Sequence, residues 1–255
     1  MAAALKIDLN CDLGESFGRY QLGDDAKIMP LITSANIACG FHAGDPIVMA
    51  HTVTMAKQHG VKVGAHPGFL DLQGFGRRSM GMSPQEIGHI IHYQLGALKA
   101  FVRVAGLQLS HVKPHGALYN MAAEDGVIAE AIAEAVAAYD DNLILVGLAG
   151  SKLVQAAENC GLRAAQEAFP DRTYLPDGRL MPRSQPGAVV AKPEDISENA
   201  LRLVREGINI NGEQIRIDTL CLHGDHPGAV KNARQVRRQL EDADVAICPL
   251  IQVIQ

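Results

Sequence analysis

Ten residues able to move protons, hold a cation or neutralise an anion recur along the 255-residue chain: Asp8, Asn10, Asp12, His42, His66, Lys113, His115, Glu167, His223 and Asp225. Asp, Glu and His can exchange protons with a substrate, and Lys can neutralise a carboxylate or phosphate. The sequence has no Gly-x-Ser-x-Gly nucleophile elbow and no Cys-x-x-Cys pair. Asp12, His42 and His66 would also serve as a carboxylate-plus-two-histidine metal site. Taken singly, each residue has an ordinary account, since a lone strand-end histidine is usually structural and a lone aspartate is often a cap. What asks for explanation is their recurrence at the ends of six apolar stretches.

Those stretches read as strands. Lys6 to Glu15 alternates, with Ile7, Leu9, Cys11 and Leu13 on one face and Asp8, Asn10 and Asp12 on the other. Further strands are expected over 36–42, 61–66, 109–115, 143–148, 163–169 and 219–224. Helices are expected between them. Asp45-Pro46 and the capping box Ser83-Pro84-Gln85-Glu86 mark two helix starts. An Ala-rich helix covers roughly 125–139, another spans Pro193 to Glu206, and a last one covers about 227–241. Asn211-Gly212 predicts a hairpin turn, and Val245–Cys248 a short terminal strand. His89 and His92 read as surface or packing residues of the helix that Ser83 starts. The Gly- and Arg-rich loop over 71–78 is suited equally to ordering around an anion and to lying as a solvated surface loop.

Strands alternating with helices predict a parallel sheet with crossover helices. The C-terminal ends of parallel strands gather at one edge, where α/β proteins place their sites. The expected fold is therefore α/β, one domain over residues 1–255, with the polar residues on the inward face at that edge. Burying so many ionisable groups together is costly unless they pair or bind something.

Composition narrows the function. Hydrophobic residues are 47% and charged residues 20%, enough for a large core. The net charge of −5, with no basic block, speaks against nucleic acid and anionic membranes as partners. The apolar N-terminal run is too short for a signal peptide, and the five cysteines read as reduced core residues, so a cytoplasmic location is expected. Gly147 to Lys152 lacks the spacing of a phosphate loop.

Five ordered blocks resemble the LamB/YcsF family: Asp8-Leu-Asn10-Cys-Asp12-Leu-Gly14-Glu15, Ala38-Cys-Gly-Phe-His42-Ala-Gly-Asp45, Gly64-Ala-His66-Pro-Gly-Phe69, Val112-Lys-Pro-His115-Gly-Ala-Leu-Tyr119 and Leu222-His-Gly-Asp225. Glu167-Ala-Phe-Pro-Asp171-Arg172-x-Tyr174 fits as well. The resemblance implies a seven-stranded parallel βα barrel, similar to glycoside hydrolases and polysaccharide deacetylases. It implies ATP-dependent opening of 5-oxoproline to glutamate, with two partner subunits related to allophanate hydrolase. Such chemistry needs cations for phosphate, a base for water and an acid for the leaving nitrogen. Lys113 and Arg172 suit the first role, Asp12 or Glu167 the second, and His66, His115 or His223 the third. Asp12, His42, His66, Lys113, His115, Glu167 and His223 thus form the candidate catalytic set. Asp8, Asn10, Glu15, Tyr119, Arg172 and Asp225 form the candidate substrate-binding set. ATP is the implied cofactor, and a divalent metal is a second candidate. The rival readings are a metal-dependent deacetylase-like hydrolase and a non-catalytic substrate-binding subunit.

Overall fold

Strand β1 (Lys6–Leu13) is the axis of the fold. It is seen in a computed structural model that describes residues 5–224 and 228–254. Ile7, Leu9, Cys11 and Leu13 are buried in the main hydrophobic cluster between sheet and helices. The period-two pleat turns Asp8, Asn10 and Asp12 to the opposite, inner side. There follow α1 (Asp25–Ile28), β2 (Ser34–Ala38), α2 (Pro46–His59), β3 (Lys62–His66), α3 (Pro84–Val104), β4 (Leu109–Val112), α4 (Gly116–Glu124) and α5 (Gly126–Tyr139). The second half runs β5 (Ile144–Leu148), α6 (Lys152–Asn159), β6 (Arg163–Ala168), α7 (Pro193–Glu206), the antiparallel hairpin β7 (Ile208–Ile210) and β8 (Glu213–Ile215), β9 (Thr219–Cys221), α8 (Ala229–Asp242), β10 (Ala246–Ile247) and α9 (Leu250–Val253).

The strands pair in parallel in the order β1-β2-β3-β4-β5-β6-β9, and β9 returns to β1, so seven parallel strands close one barrel in a single domain. β10 adds beside the start of β1, with Lys6 opposite Ala246. Leu250 of α9 packs with Ile144, Val146 and Ala165 in a small apolar cluster of its own. Helix starts follow the capping signals. Asp45 accepts hydrogen bonds from the Ile47 and Val48 amides, and Ser83 and Glu86 form a reciprocal capping box. His92 binds the Ala135 carbonyl at 2.8 Å, a packing contact between α3 and α5, and all five cysteines are free.

Three strands stop three or four residues earlier than the sequence suggests. β2 ends at Ala38, because Gly40 takes a φ of +94°, a conformation that leaves the ladder. His42 is therefore delivered by a turn and not by the strand. β4 ends at Val112 and β9 at Cys221. The backbone nevertheless stays aligned past β4, with Lys113 N bound to Ala65 O at 2.9 Å and His115 N to Pro67 O at 2.8 Å.

The inner residues of β1 sit at different depths. Asp8 is the deepest, fully buried, and accepts hydrogen bonds from Thr33, Ser34 and Thr219 hydroxyls at 2.7, 2.6 and 2.6 Å. Burial outweighs these three donors and raises its pKa to about 6. A raised folded-state pKa means stability that is full below the unfolded value of 3.8 and lost as pH rises through about 6. The loss amounts to about 3 kcal/mol at most. Asp8→Asn, which keeps the shape without the charge, should therefore melt at or above the parent at pH 8, with the difference vanishing at pH 4 in paired thermal melts. A variant melting well below the parent at pH 8 would show that the carboxylate itself is needed.

Candidate active site

At the C-terminal end of the barrel, one ammonium joins residues from several strands. Lys113 Nζ lies 3.0 Å from Asp12 Oδ1, 2.9 Å from Glu167 Oε1, 3.3 Å from Asn10 Oδ1 and 3.1 Å from Cys221 Sγ. Burial alone would lower the Lys113 pKa, but the surrounding negative charge, that of Asp12 foremost, holds it well above the usual lysine value. Asn10 donates to Glu167 at 2.9 Å and to Thr219 at 2.7 Å. Asn36 donates to both Asn10 Oδ1 (2.7 Å) and Asp12 Oδ1 (2.8 Å), and His111 reaches the Asn36 carbonyl oxygen at 2.8 Å. Tyr119 donates to Glu167 Oε2 at 2.7 Å. Gly64 makes this network possible, because a Cβ there would overlap the His111 ring.

Above the network lie three imidazoles. His66 Nδ1 donates to the Lys113 carbonyl at 2.7 Å, and His115 Nε2 donates to the Phe75 carbonyl at 2.8 Å. Each carbonyl fixes the proton on one ring nitrogen. The other two nitrogens, His66 Nε2 and His115 Nδ1, then face each other at 2.9 Å. Two lone pairs at that distance repel, so either a proton or a cation belongs between or beside them. Burial, and then the neighbouring His66, lower the His115 pKa to about 3, so it is neutral and free to act as a ligand. His42 stacks on His115 with centroids 3.7 Å apart, and its Nε2 is 3.3 Å from Glu15 Oε1. His42 Nδ1 is buried with no hydrogen-bond partner among the described residues. Ligand atoms of Glu15, His42, His66 and His115 all fall within 4.8 Å of one another, and nitrogen and carboxylate oxygen donors at this spacing fit a divalent cation. The Asp12, His42 and His66 triad expected from sequence is shifted: Glu15 and His115 join the cluster, and Asp12 touches it only through His66, at 3.3 Å.

These groups open into a cavity of about 400 Å³ lined by Asp12, Glu15, His66, Lys113, His115, Tyr119, Arg172 and His223, among others. Burial would raise the Asp12 pKa, but its contacts with His66 and the Lys113 ammonium hold it well below the usual carboxylate range. His223 Nδ1 binds Asp171 Oδ2 at 2.6 Å, and its Nε2 accepts from Arg183 at 3.2 Å. The chain from Arg172 to Val189 covers this side, pinned where Arg172 donates to the Met181 and Ala188 carbonyls at 2.7 and 3.3 Å. Asp8, Asn10, His42 and Glu167 do not line the cavity; they lie buried beneath or behind the residues that do. Asp225 falls outside the described residues.

Residues 7–255 match the LamB/YcsF family. The chain is 55% identical over 247 residues to the A-subunit of 5-oxoprolinase from Syntrophobacter fumaroxidans, covering 95% of this chain and 98% of that one. It is 53% identical over 250 residues to the Pyrococcus furiosus protein of the same name, covering 96% and 98%. This chain belongs to the LamB/YcsF family. The crystal structure of the lactam utilization protein from Thermus thermophilus superposes on this LamB/YcsF chain with a TM-score of 0.89 at 50% identity, covering 95% of this chain and 99% of that one. The T48 deacetylase, at 15% identity and a TM-score of 0.51 over 99% and 92% of the two chains, shares the fold alone.

Four residues of this LamB/YcsF site escape a reading of strand ends. Asn36 and His111 lie mid-strand among small or aliphatic neighbours, and Asp171 sits in the turn that follows β6. Arg183 belongs to an irregular segment. The loop over 71–78 is ordered from within, since Asp71 takes the Gly74 amide and the Arg78 guanidinium. Lys113→Met should cost about 3–5 kcal/mol, because two carboxylates then lose their buried partner. Adding Glu167→Gln should recover part of that loss in denaturant unfolding. Equal stability of Lys113→Met and parent would contradict this account of the ammonium.

Proposed function

We propose that the chain is the lactam-opening subunit of an ATP-dependent 5-oxoprolinase, working in the cytoplasm with two partner subunits related to allophanate hydrolase. The observation that carries the reading is the cavity, which Asp12 and His223 both line, with Asp171 behind His223. Relatives named as the A-subunit of 5-oxoprolinase support the choice of substrate and of a multi-subunit assembly.

A lactam resists water because amide resonance stabilises its carbonyl. Phosphorylation of the carbonyl oxygen by ATP, with loss of the ring N–H proton, gives ADP and an imidate phosphate whose carbon is electrophilic. Water adds to that carbon, and the C–N bond breaks as the nitrogen is protonated, leaving an acyl phosphate. A second water attacks the acyl carbon and releases inorganic phosphate and glutamate. In this chain Asp12 takes the proton from water. Glu167 is the poorer base, since Asn10, Lys113 and Tyr119 occupy both its oxygens beneath the cavity. His223 is the acid for the leaving nitrogen, because it lines the cavity while Asp171 orients its ring through Nδ1. His66 and His115 are less suited to that role, each being tied to a backbone carbonyl. Lys113 holds Asp12 ionised. Glu15, His42, His66 and His115 would hold a divalent cation, which when bound supplies Lewis acidity beside Asp12.

Turnover of 5-oxoproline and ATP in the reconstituted complex tests the assignment. Asp12→Asn should lower the rate by about 10²–10⁴-fold while leaving the melt close to the parent's. Full activity in that variant would remove Asp12 from the chemistry. Metal content of tag-free protein checks the cation site. About one divalent ion per chain is expected in the parent and much less in a His66→Ala, His115→Ala double variant. A metal-free parent that still turns over would rule the cation out.

A further inference from the structure

Among the described residues, Lys113 is the cation deep in the site, and its charge is taken up by Asp12 and Glu167. An anionic group entering the cavity must be met elsewhere. The cavity wall carries Arg77, Arg172, Arg179 and Arg183. Arg179 is paired with Asp177 and Glu124, at 2.7 and 3.4 Å. Among the described residues, no carboxylate pairs with Arg172 or Arg183, whose recorded partners are two carbonyls and a ring nitrogen. The arginines crowd one another. Burial first, and then the neighbouring Arg183 charge, lower the Arg172 pKa, with Arg77 adding to the effect. The Asp171 carboxylate, bound to His223, is the negative charge near Arg172 and Arg183, so these guanidinium groups facing a cavity form a site that an anion can enter.

We propose that Arg172 and Arg183, with Arg77 facing them, form a subsite for a phosphate dianion, and that it seats the phosphate of the activated lactam. The assignment rests on the reading that the cavity takes such a substrate. Three features favour phosphate over carboxylate. Two guanidinium groups and His223 line one cavity, two further arginines stand on the same wall, and planar forks match phosphate oxygens in pairs. The same contact links binding to proton transfer. Arg183 donates to His223 Nε2 while the subsite is open. Engaging the anion draws Arg183 away and leaves Nε2 free to carry the proton that the leaving amine needs.

The probe is inorganic phosphate, titrated into the full chain alone by calorimetry or phosphorus NMR, at constant ionic strength set with chloride. The parent should bind phosphate and bind acetate at least about tenfold more weakly. Arg183→Ala, an exposed position whose loss leaves the fold intact, should weaken phosphate binding by about tenfold or more, as loss of one charged hydrogen bond does. Arg77→Ala should act in the same direction, and the ion-paired Arg179→Ala should match the parent. Phosphate binding that is absent, equal to that of acetate, or unchanged in Arg183→Ala overturns the subsite. The substrate reading is separated by turnover. Phosphate binding in a complex that leaves 5-oxoproline untouched keeps the subsite and removes the lactam. Turnover with no phosphate binding does the reverse.

Discussion

The Lys113 ammonium between Asp12 and Glu167 is the contact on which the rest of the site depends. Two carboxylates this close to each other inside a barrel would otherwise repel and take up protons. With the cation between them, Asp12 stays ionised at its exposed edge, and Glu167 is left to hold Asn10 and Tyr119. β1, β2, β6 and β9, with the segment that follows β4, are thereby tied together through side chains as well as through the ladder. Such a network is expensive to desolvate and is an inefficient way to stabilise a fold. It holds one carboxylate at the cavity with a fixed charge and a fixed direction.

Depth divides the labour among residues that share a face. Asp8 is sealed by three hydroxyls and lies below the cavity. Asn10 and Asn36 form a layer of amides that bridges to the charged groups above. Asp12, with 23% of its side chain exposed, is the β1 carboxylate that meets solvent. The imidazoles stand one level higher, those of His66 and His115 with their protons directed by the Lys113 and Phe75 carbonyls. Ordering a ring by a backbone carbonyl sets which nitrogen is free, and therefore where a proton or an ion can sit.

The strand pattern and the gathering of polar residues at one barrel edge are legible in the chain because each rests on short-range rules. Strict alternation in β1, the capping box at Ser83 and the Asn211-Gly212 turn all have local causes. Depth is not local. Asp8 and Asp12 have the same period and the same type, and only the closure of the barrel over Thr33, Ser34 and Thr219 makes one structural and the other accessible. Pattern alone places His42 on a strand because Gly40 reads as a small inward residue; its positive φ becomes visible only in the fold. Asn36 and His111 carry no sequence signal beyond their strands. The arginine wall comes from a segment without periodicity, which is held over the cavity by carbonyl contacts that no spacing rule describes.

The central claim is that this barrel opens a lactam whose carbonyl oxygen has been activated by phosphate. Its most direct test follows that oxygen. 5-Oxoproline labelled with oxygen-18 at the ring carbonyl is turned over with ATP by the complex containing this chain, and the products are analysed by mass spectrometry. The account predicts that the label leaves in inorganic phosphate, one atom per turnover, with its release slowed about 10²–10⁴-fold in the Asp12→Asn complex. Label retained entirely in glutamate, with unlabelled phosphate, would contradict it.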